Sequence, residues 1–170
     1  MNIGKRLLTS LPLNFFIIII ITTIHVFDAN VIGEKSVETL NTWLVNGKTK
    51  NTLDLVFLSE GYTEREKYKF QDDVKRFKKE GFEEGGLYFK YSPFFNIYSV
   101  FTASKESGVG TDGRWKNTAY HLYRDSGKLR SILPVDDFSY PKALKVCKKN
   151  APACDIAVIL VNAPFYGGLG

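Results

Sequence analysis

Few residues in this chain of 170 stand in a pattern that could do chemistry. Glu60, in L-S-E-G-Y, follows an apolar run and precedes a helix signal. A carboxylate so placed suits general acid or base work, and it equally suits capping the helix it precedes. Cys147 and Cys154 are the two cysteines, seven positions apart across K-K-N-A-P-A. Their spacing is not C-x-x-C, which argues against a redox pair. In an extracellular chain an even pair across a short Pro-containing loop points to a structural disulfide. His121, in Y-H-L-Y, is the one histidine beyond the N-terminal segment, and it reads as a packed or surface residue. The chain contains no H-E-x-x-H and no G-x-S-x-G, so neither a zinc-binding helix nor a nucleophile elbow is visible. Two phosphate-loop fragments fail on context. G-K-T at residues 47–49 lacks the earlier glycine and a following helix, and G-V-G-T-D-G at 108–113 is followed by R-W-K-N-T, which is not helix-forming.

The elements that must position these groups alternate between strand and helix. Residues 53–58 (L-D-L-V-F-L) read as a strand, and the T-x-x-E of Thr63 and Glu66 opens a helix over 63–80. Phe70, Val74 and Phe77 share one face of that helix, and Gly81 is placed to end it. Residues 94–103 form a second strand with aromatics on both faces, hence a central one. Residues 104–113 are a loop, 118–123 a short strand or turn, and 125–133 either a short helix or an extended segment. A second helix spans 136–149, with Pro141 early and Ala143, Leu144 and Cys147 inward. The run D-I-A-V-I-L-V over 155–161 is a third strand. The stretch 37–45 has strand character, whereas 46–52 has no apolar anchor and reads as a loop. This order specifies an α/β fold, a mixed sheet with flanking helices.

Lys5 and Arg6 precede an uncharged run over residues 7–27, the form a translocon recognises. Residues 1–29 are expected to act as a cleaved signal peptide or, uncleaved, as a membrane anchor through 7–27. Either alternative makes the remainder secreted or extracytoplasmic. The division expected is 1–29 as leader, 30–52 as a polar segment and 53–170 as one domain. The net charge of +5 is spread among interleaved acids, without a basic stripe, which excludes a nucleic-acid face.

Three blocks then carry a resemblance. L-D-L-V-F-L-S-E-G-Y-T at 53–63, F-F-N-I-Y-S-V-F with S-K-E-S-G at 94–108, and D-I-A-V-I-L-V-N with Y-G-G at 155–168 occur in the order found in the IgA-peptidase family of zinc metallopeptidases, which this chain resembles. The resemblance implies a zincin-like catalytic domain, truncated here before the metal-binding helix, and a protein or peptide substrate. It implies zinc for a full-length member and no metal or cofactor in this chain, which lacks the ligands and is expected to be catalytically incomplete. A truncated or fragmentary chain is the expectation ahead of a pseudoenzyme. The resemblance also implies that Asn162, Tyr166, Gly167 and Gly168 help shape a substrate cleft, although Gly167 and Gly168 equally suit a turn needing positive φ. The competing expectation is a non-catalytic secreted α/β module that binds protein.

Overall fold

The computed structural model describes residues 38–127 and 131–164. The leader assigned to 1–29 and the cleft residues Tyr166, Gly167 and Gly168 lie outside the described residues. Four strands make the main sheet: β1 (Glu38–Leu44), β2 (Leu53–Glu60), β3 (Phe95–Thr102) and β7 (Ile156–Val161). Their order is β1-β3-β2-β7. β2 runs parallel to both β3 and β7, and β1 pairs antiparallel with β3. The sheet is therefore mixed: the strand–helix alternation accounts for the parallel pairs, and β1 adds the antiparallel one. The strand character of 37–45 is realised in β1, so residues 38–44 belong to the sheet.

Period-two alternation along these strands sorts two cores. Leu55 and Phe57 of β2, Ile97 and Phe101 of β3 and Val158 of β7 face helix α1 (Lys67–Phe82). Val56, Leu58, Tyr98, Val100, Ala157 and Ile159 face the other way, toward helix α2 (Ser139–Asn150). The result is three layers, with a sheet buried on both sides and near-continuous apolar strands. α1 presents Phe70, Val74 and Phe77 at helical spacing, and Phe77 meets Phe57 edge-on at 4.8 Å between ring centroids. Truncating a fully buried ring such as Phe57 typically costs about 3–5 kcal/mol. α1 runs one residue past Gly81, because Phe82 is itself a core residue packed on Phe95 and Tyr88. The chain then breaks at Gly85, whose φ is +84°.

A short 3-10 turn, Phe89–Phe94, delivers the chain to β3, so Phe94 precedes that strand. Three very short strands, β4 (Gly110–Thr111), β5 (Leu122–Arg124) and β6 (Ile132–Pro134), form a separate small sheet in the order β4-β5-β6. The segment left open between helix and extended chain thus contributes an extended strand. α2 begins at Ser139, three residues later than its sequence pattern suggests. Asp136 accepts hydrogen bonds from the Phe138 amide at 2.9 Å and the Ser139 hydroxyl at 3.1 Å, which holds 136–138 as a turn ahead of the helix.

The loop over 46–52, without an apolar anchor, is held by polar ones. The Asn96 side chain accepts from the amides of Asn46 and Gly47 and donates to Gly47 O, Thr52 Oγ1 and buried Asp54. At this same end of the sheet, Cys147 and Cys154 form a disulfide that closes the turn from α2 into β7, with their Cα atoms 5.8 Å apart. Closing so short a loop removes only modest chain entropy, worth about 2 kcal/mol. Urea unfolding with and without a reductant should show that difference in stability, and a midpoint indifferent to reductant would mean the bridge does not form in solution.

Candidate functional site

The loops gather at the carboxyl ends of β2, β3 and β7, where open α/β sheets characteristically place their sites. The β2–β3 ladder reaches Leu58↔Val100, whereas β2–β7 continues to Glu60↔Val161. Beyond Val100 the contact passes to a side chain: the Ser59 hydroxyl donates to Thr102 O at 2.9 Å and accepts from the Thr102 amide at 2.8 Å. Next to this point sits Glu60, the last residue of β2, with no exposed surface. One of its oxygens accepts from Thr118 Oγ1 at 2.5 Å and the Leu122 amide at 2.8 Å. The other accepts from the Tyr120 amide at 2.7 Å. Burial pushes this carboxyl above its ordinary range, while the three donors pull the other way.

Both sequence readings of Glu60 are thereby corrected. Enclosed by these donors, the carboxylate has no access to a substrate as acid or base. Nor does it cap α1: the capping box is made by Thr63 and Glu66. Glu60 instead seats the segment 118–122 on the end of the sheet. Nothing in the local sequence signals this, because the partners lie about sixty positions away and two of the three donors are backbone amides.

A second tie was also invisible from sequence. Ser104 is buried, and its hydroxyl oxygen accepts from the Gly61 amide at 3.0 Å and the Ala119 amide at 2.9 Å, while its own amide donates to Tyr62 O at 2.8 Å. The β2 turn and the 104–119 loop approach so closely that only glycine fits at Gly61. Its φ is +75°, and a Cβ there would lie 2.5 Å from Gly108 O. The Gly108 amide donates to Gly61 O at 2.8 Å. Gly108, the first glycine of G-V-G-T-D-G, serves this contact with a φ of +75°, and the motif is not a phosphate loop, because Gly110 opens β4 and no helix follows directly.

Asn162, the expected cleft residue within the described range, leaves β7 at the same place. Its amide nitrogen donates to Gly61 O at 3.0 Å and to Glu66 Oε1 at 3.0 Å. The Ser107 hydroxyl donates to that same Glu66 oxygen at 2.8 Å. Asn162 thus joins three loops: the β2–α1 turn, the 104–109 segment and the exit from β7. Partial burial opposes charge on Glu66, but the Thr63 amide, Ser107, the Thr63 hydroxyl and Asn162 outweigh it and hold the carboxyl down at about 2.

His121 lies within the 118–122 segment that Glu60 seats, between the two residues whose amides donate to Glu60, and its ring is paired with Asp136. Its φ is +52° and its Nδ1 lies 3.5 Å from Asp136 Oδ2 on the exposed approach to α2. Among the described residues, no three or more His, Cys, Asp or Glu side chains gather where they would hold a metal ion. Glu60 and Glu66, the carboxylates at the sheet end, are both engaged by donors. These residues do not fit a zinc ion. No helix among the described residues is long and apolar enough to cross a membrane.

The family model for IgA Peptidase M64 matches residues 43–170, well over half of the chain. The chain belongs to this family. The match takes in every loop that meets at the sheet end, from the Glu60 turn to Asn162. Membership of the M64 family also bears out the three sequence blocks that suggested it. A different similarity covers part of the chain: 31% identity over 101 residues with dihydroxy-acid dehydratase 2 of Staphylococcus saprophyticus subsp. saprophyticus. That alignment takes in 57% of this chain and spans only 16% of the relative's length. A likeness to so small a part of the dehydratase assigns no activity to the M64 chain.

Two predictions arise from the junction. Glu60→Gln places an NH2 against an inward-pointing amide donor, and the substitution should destabilise the fold by about 1–3 kcal/mol. Urea unfolding at neutral pH measures it, and an unchanged midpoint would show that the carboxylate is not the anchor. Glu66 has a folded pKa below its unfolded value. Its contribution is therefore present above the ordinary Glu range and lost as pH falls toward about 2. Glu66→Gln should flatten the acid limb of stability against pH in that window, as followed by thermal melts across it.

Proposed function

We propose that residues 38–164 are the sheet-and-loop scaffold of a zincin-like metallopeptidase domain that acts on protein substrates. The observation that carries this reading is membership of the M64 family over 43–170. The geometry supports it in one respect: the loops converge at the carboxyl ends of parallel strands, where groups brought by further elements would be positioned. The metal chemistry expected of the family, polarising a peptide carbonyl and activating water, belongs on this reading to residues other than those described. What the described residues contribute is position. Glu60 and Ser104 fix the 104–122 loop, and the Glu66–Asn162 contact fixes the direction in which the chain leaves β7. Asn162, Tyr166, Gly167 and Gly168 are proposed to border the substrate cleft, with the Asn162 amide spent on holding the loops. Residues 1–29 are proposed as a signal peptide or anchor, which would place the domain outside the cytoplasm, where the Cys147–Cys154 bridge would persist.

The second reading, a non-catalytic protein-binding module, is favoured by one observation. The carboxylates at the sheet end are consumed by structural hydrogen bonds. Two measurements separate the readings. Reading the coding sequence past the Gly170 codon should reveal an in-frame H-E-x-x-H, and a well-supported stop codon there would favour the module. The 170-residue chain itself is expected to carry no stoichiometric zinc by elemental analysis and to show no chelator-sensitive cleavage of a protein substrate. Such cleavage by this chain alone would sink the scaffold assignment.

A further inference from the structure

At the opposite end of the sheet from the loop junction lies a surface that neither core explains. Six large apolar side chains stand in the open there: Val45, Leu53, Leu87, Phe89, Tyr91 and Phe94, each between 44% and 60% exposed. They come from two segments, 45–53 and 87–94, that are bonded to one another. The Asn46 side chain donates to Ser92 O at 2.7 Å and to Phe95 O at 3.0 Å, and Leu53 sits opposite Phe95 in the β2–β3 register. The 3-10 geometry of Phe89–Phe94 eclipses residues three apart, which stacks Tyr91 and Phe94 on one side. Below them Phe82 packs against Tyr88 and Phe95, so the exposed rings stand on a rigid base. The platform is held by polar bonds and aromatic packing and is a built surface.

Its charge is predominantly positive. Residues 45–53 and 86–95 contain Lys48, Lys50 and Lys90, all exposed, and no Asp or Glu. The acids nearest to it are Asp54, buried and bonded to Asn96, exposed Asp155, whose carboxylate accepts from the Asp54 amide at 2.8 Å beside Leu53, and Glu83 and Glu84 beyond the glycine break. Glu83 is paired with Lys78 at 2.6 Å. Exposed Phe, Tyr and Leu beside three lysines, with Asp155 at their edge spent on a backbone amide, is a composition that settles into the headgroup boundary of an anionic bilayer. The rings enter the interface and the ammonium groups meet lipid phosphates and carboxylates. An acidic protein would satisfy the lysines as well, and protection by lipid alone separates it from the bilayer. A second copy of this chain would set the lysines against their own kind.

We infer that this end of the sheet, centred on Phe89, Tyr91 and Phe94 with Lys48, Lys50 and Lys90, docks the domain on an anionic membrane surface. β2 is eight residues long and separates the two ends by roughly 26 Å. A domain seated in this way would turn its loop junction away from the lipid. The docking depends on neither the peptidase reading nor the module reading.

Hydrogen exchange on the full chain tests it, because the readout is local and is not confused by lipid contacts of residues 7–27. Vesicles of phosphatidylcholine are compared with vesicles in which roughly a third of the lipid is phosphatidylserine. The amides of 45–53 and 87–94 should gain protection with the anionic vesicles and lose it in high salt, while those of 104–122 stay unchanged. The triple variant K48E/K50E/K90E should weaken the protected fraction at a given lipid concentration by about tenfold or more. F89S/F94S should abolish protection while the circular dichroism spectrum remains that of the parent. Equal protection on neutral vesicles, or none on either, overturns the inference. Protection without vesicles that rises with protein concentration would identify a second copy as the occupant and overturn it as well.

Discussion

A carboxylate buried without exposed surface at the end of a strand is costly unless it is hydrogen-bonded. Glu60 meets that condition by accepting from Thr118, Tyr120 and Leu122. The arrangement of the carboxyl end of the sheet depends on it. The segment 118–122 has almost no regular ladder of its own, and its backbone donors would otherwise be buried without partners. Glu60 supplies acceptors to two of them, and Ser104 supplies one to Ala119. Tyr120, fully buried on the α2 side of the sheet, is carried into the core by a segment pinned in this way. Apolar burial and polar satisfaction are therefore one event here: the ring cannot be seated unless the amides beside it find oxygens.

The two ends of the sheet are organised by the same chemistry to different effect. At the amino end, Asn96 and Asp54 gather a loop that has no hydrophobic anchor, and a disulfide closes the adjacent turn. At the carboxyl end, Glu66 and Asn162 gather three loops with no covalent help. Between them the sheet buries an aromatic-rich layer under α1 and a layer of smaller residues under α2. The large rings lie where one amphipathic helix covers the sheet. The smaller residues lie where α2 and the 118–122 segment share the other face.

What could be read from the sequence was what is local and periodic. The runs at 53–58, 94–103 and 155–161 announced three strands because they are long and apolar, and the T-x-x-E box announced the start of α1. The Cys147–Cys154 pairing was legible from spacing and expected compartment. β5 and β6 were legible only as alternatives, a strand or turn over 118–123 and a helix or extended segment over 125–133, and β4 lay in the expected 104–113 loop, since two or three residues carry no measurable alternation. The end of α1 was misplaced by two residues, because the packing of Phe82 outweighed the local preference of Gly81. Glu60 was misread for a different reason. A single carboxylate after a strand looks alike whether it serves a helix, a substrate or a distant loop, and only the tertiary partners tell these apart. The wiring that joins Asn162 to the other loops at the sheet end was not legible for the same reason.

The order in which this wiring becomes available has a consequence during synthesis. Glu60 leaves the ribosome about sixty residues ahead of the three donors that make its burial tolerable. Until those residues emerge, the carboxylate must remain hydrated, and the carboxyl end of the nascent sheet must stay open to water. The partner strand β3 appears well before then, so pairing of β2 with β3 can proceed from the amino end of the strands. Closure of the far end is the later step. A nascent chain paused between these points would hold a half-built sheet whose wet end is kept from collapse by a single charge.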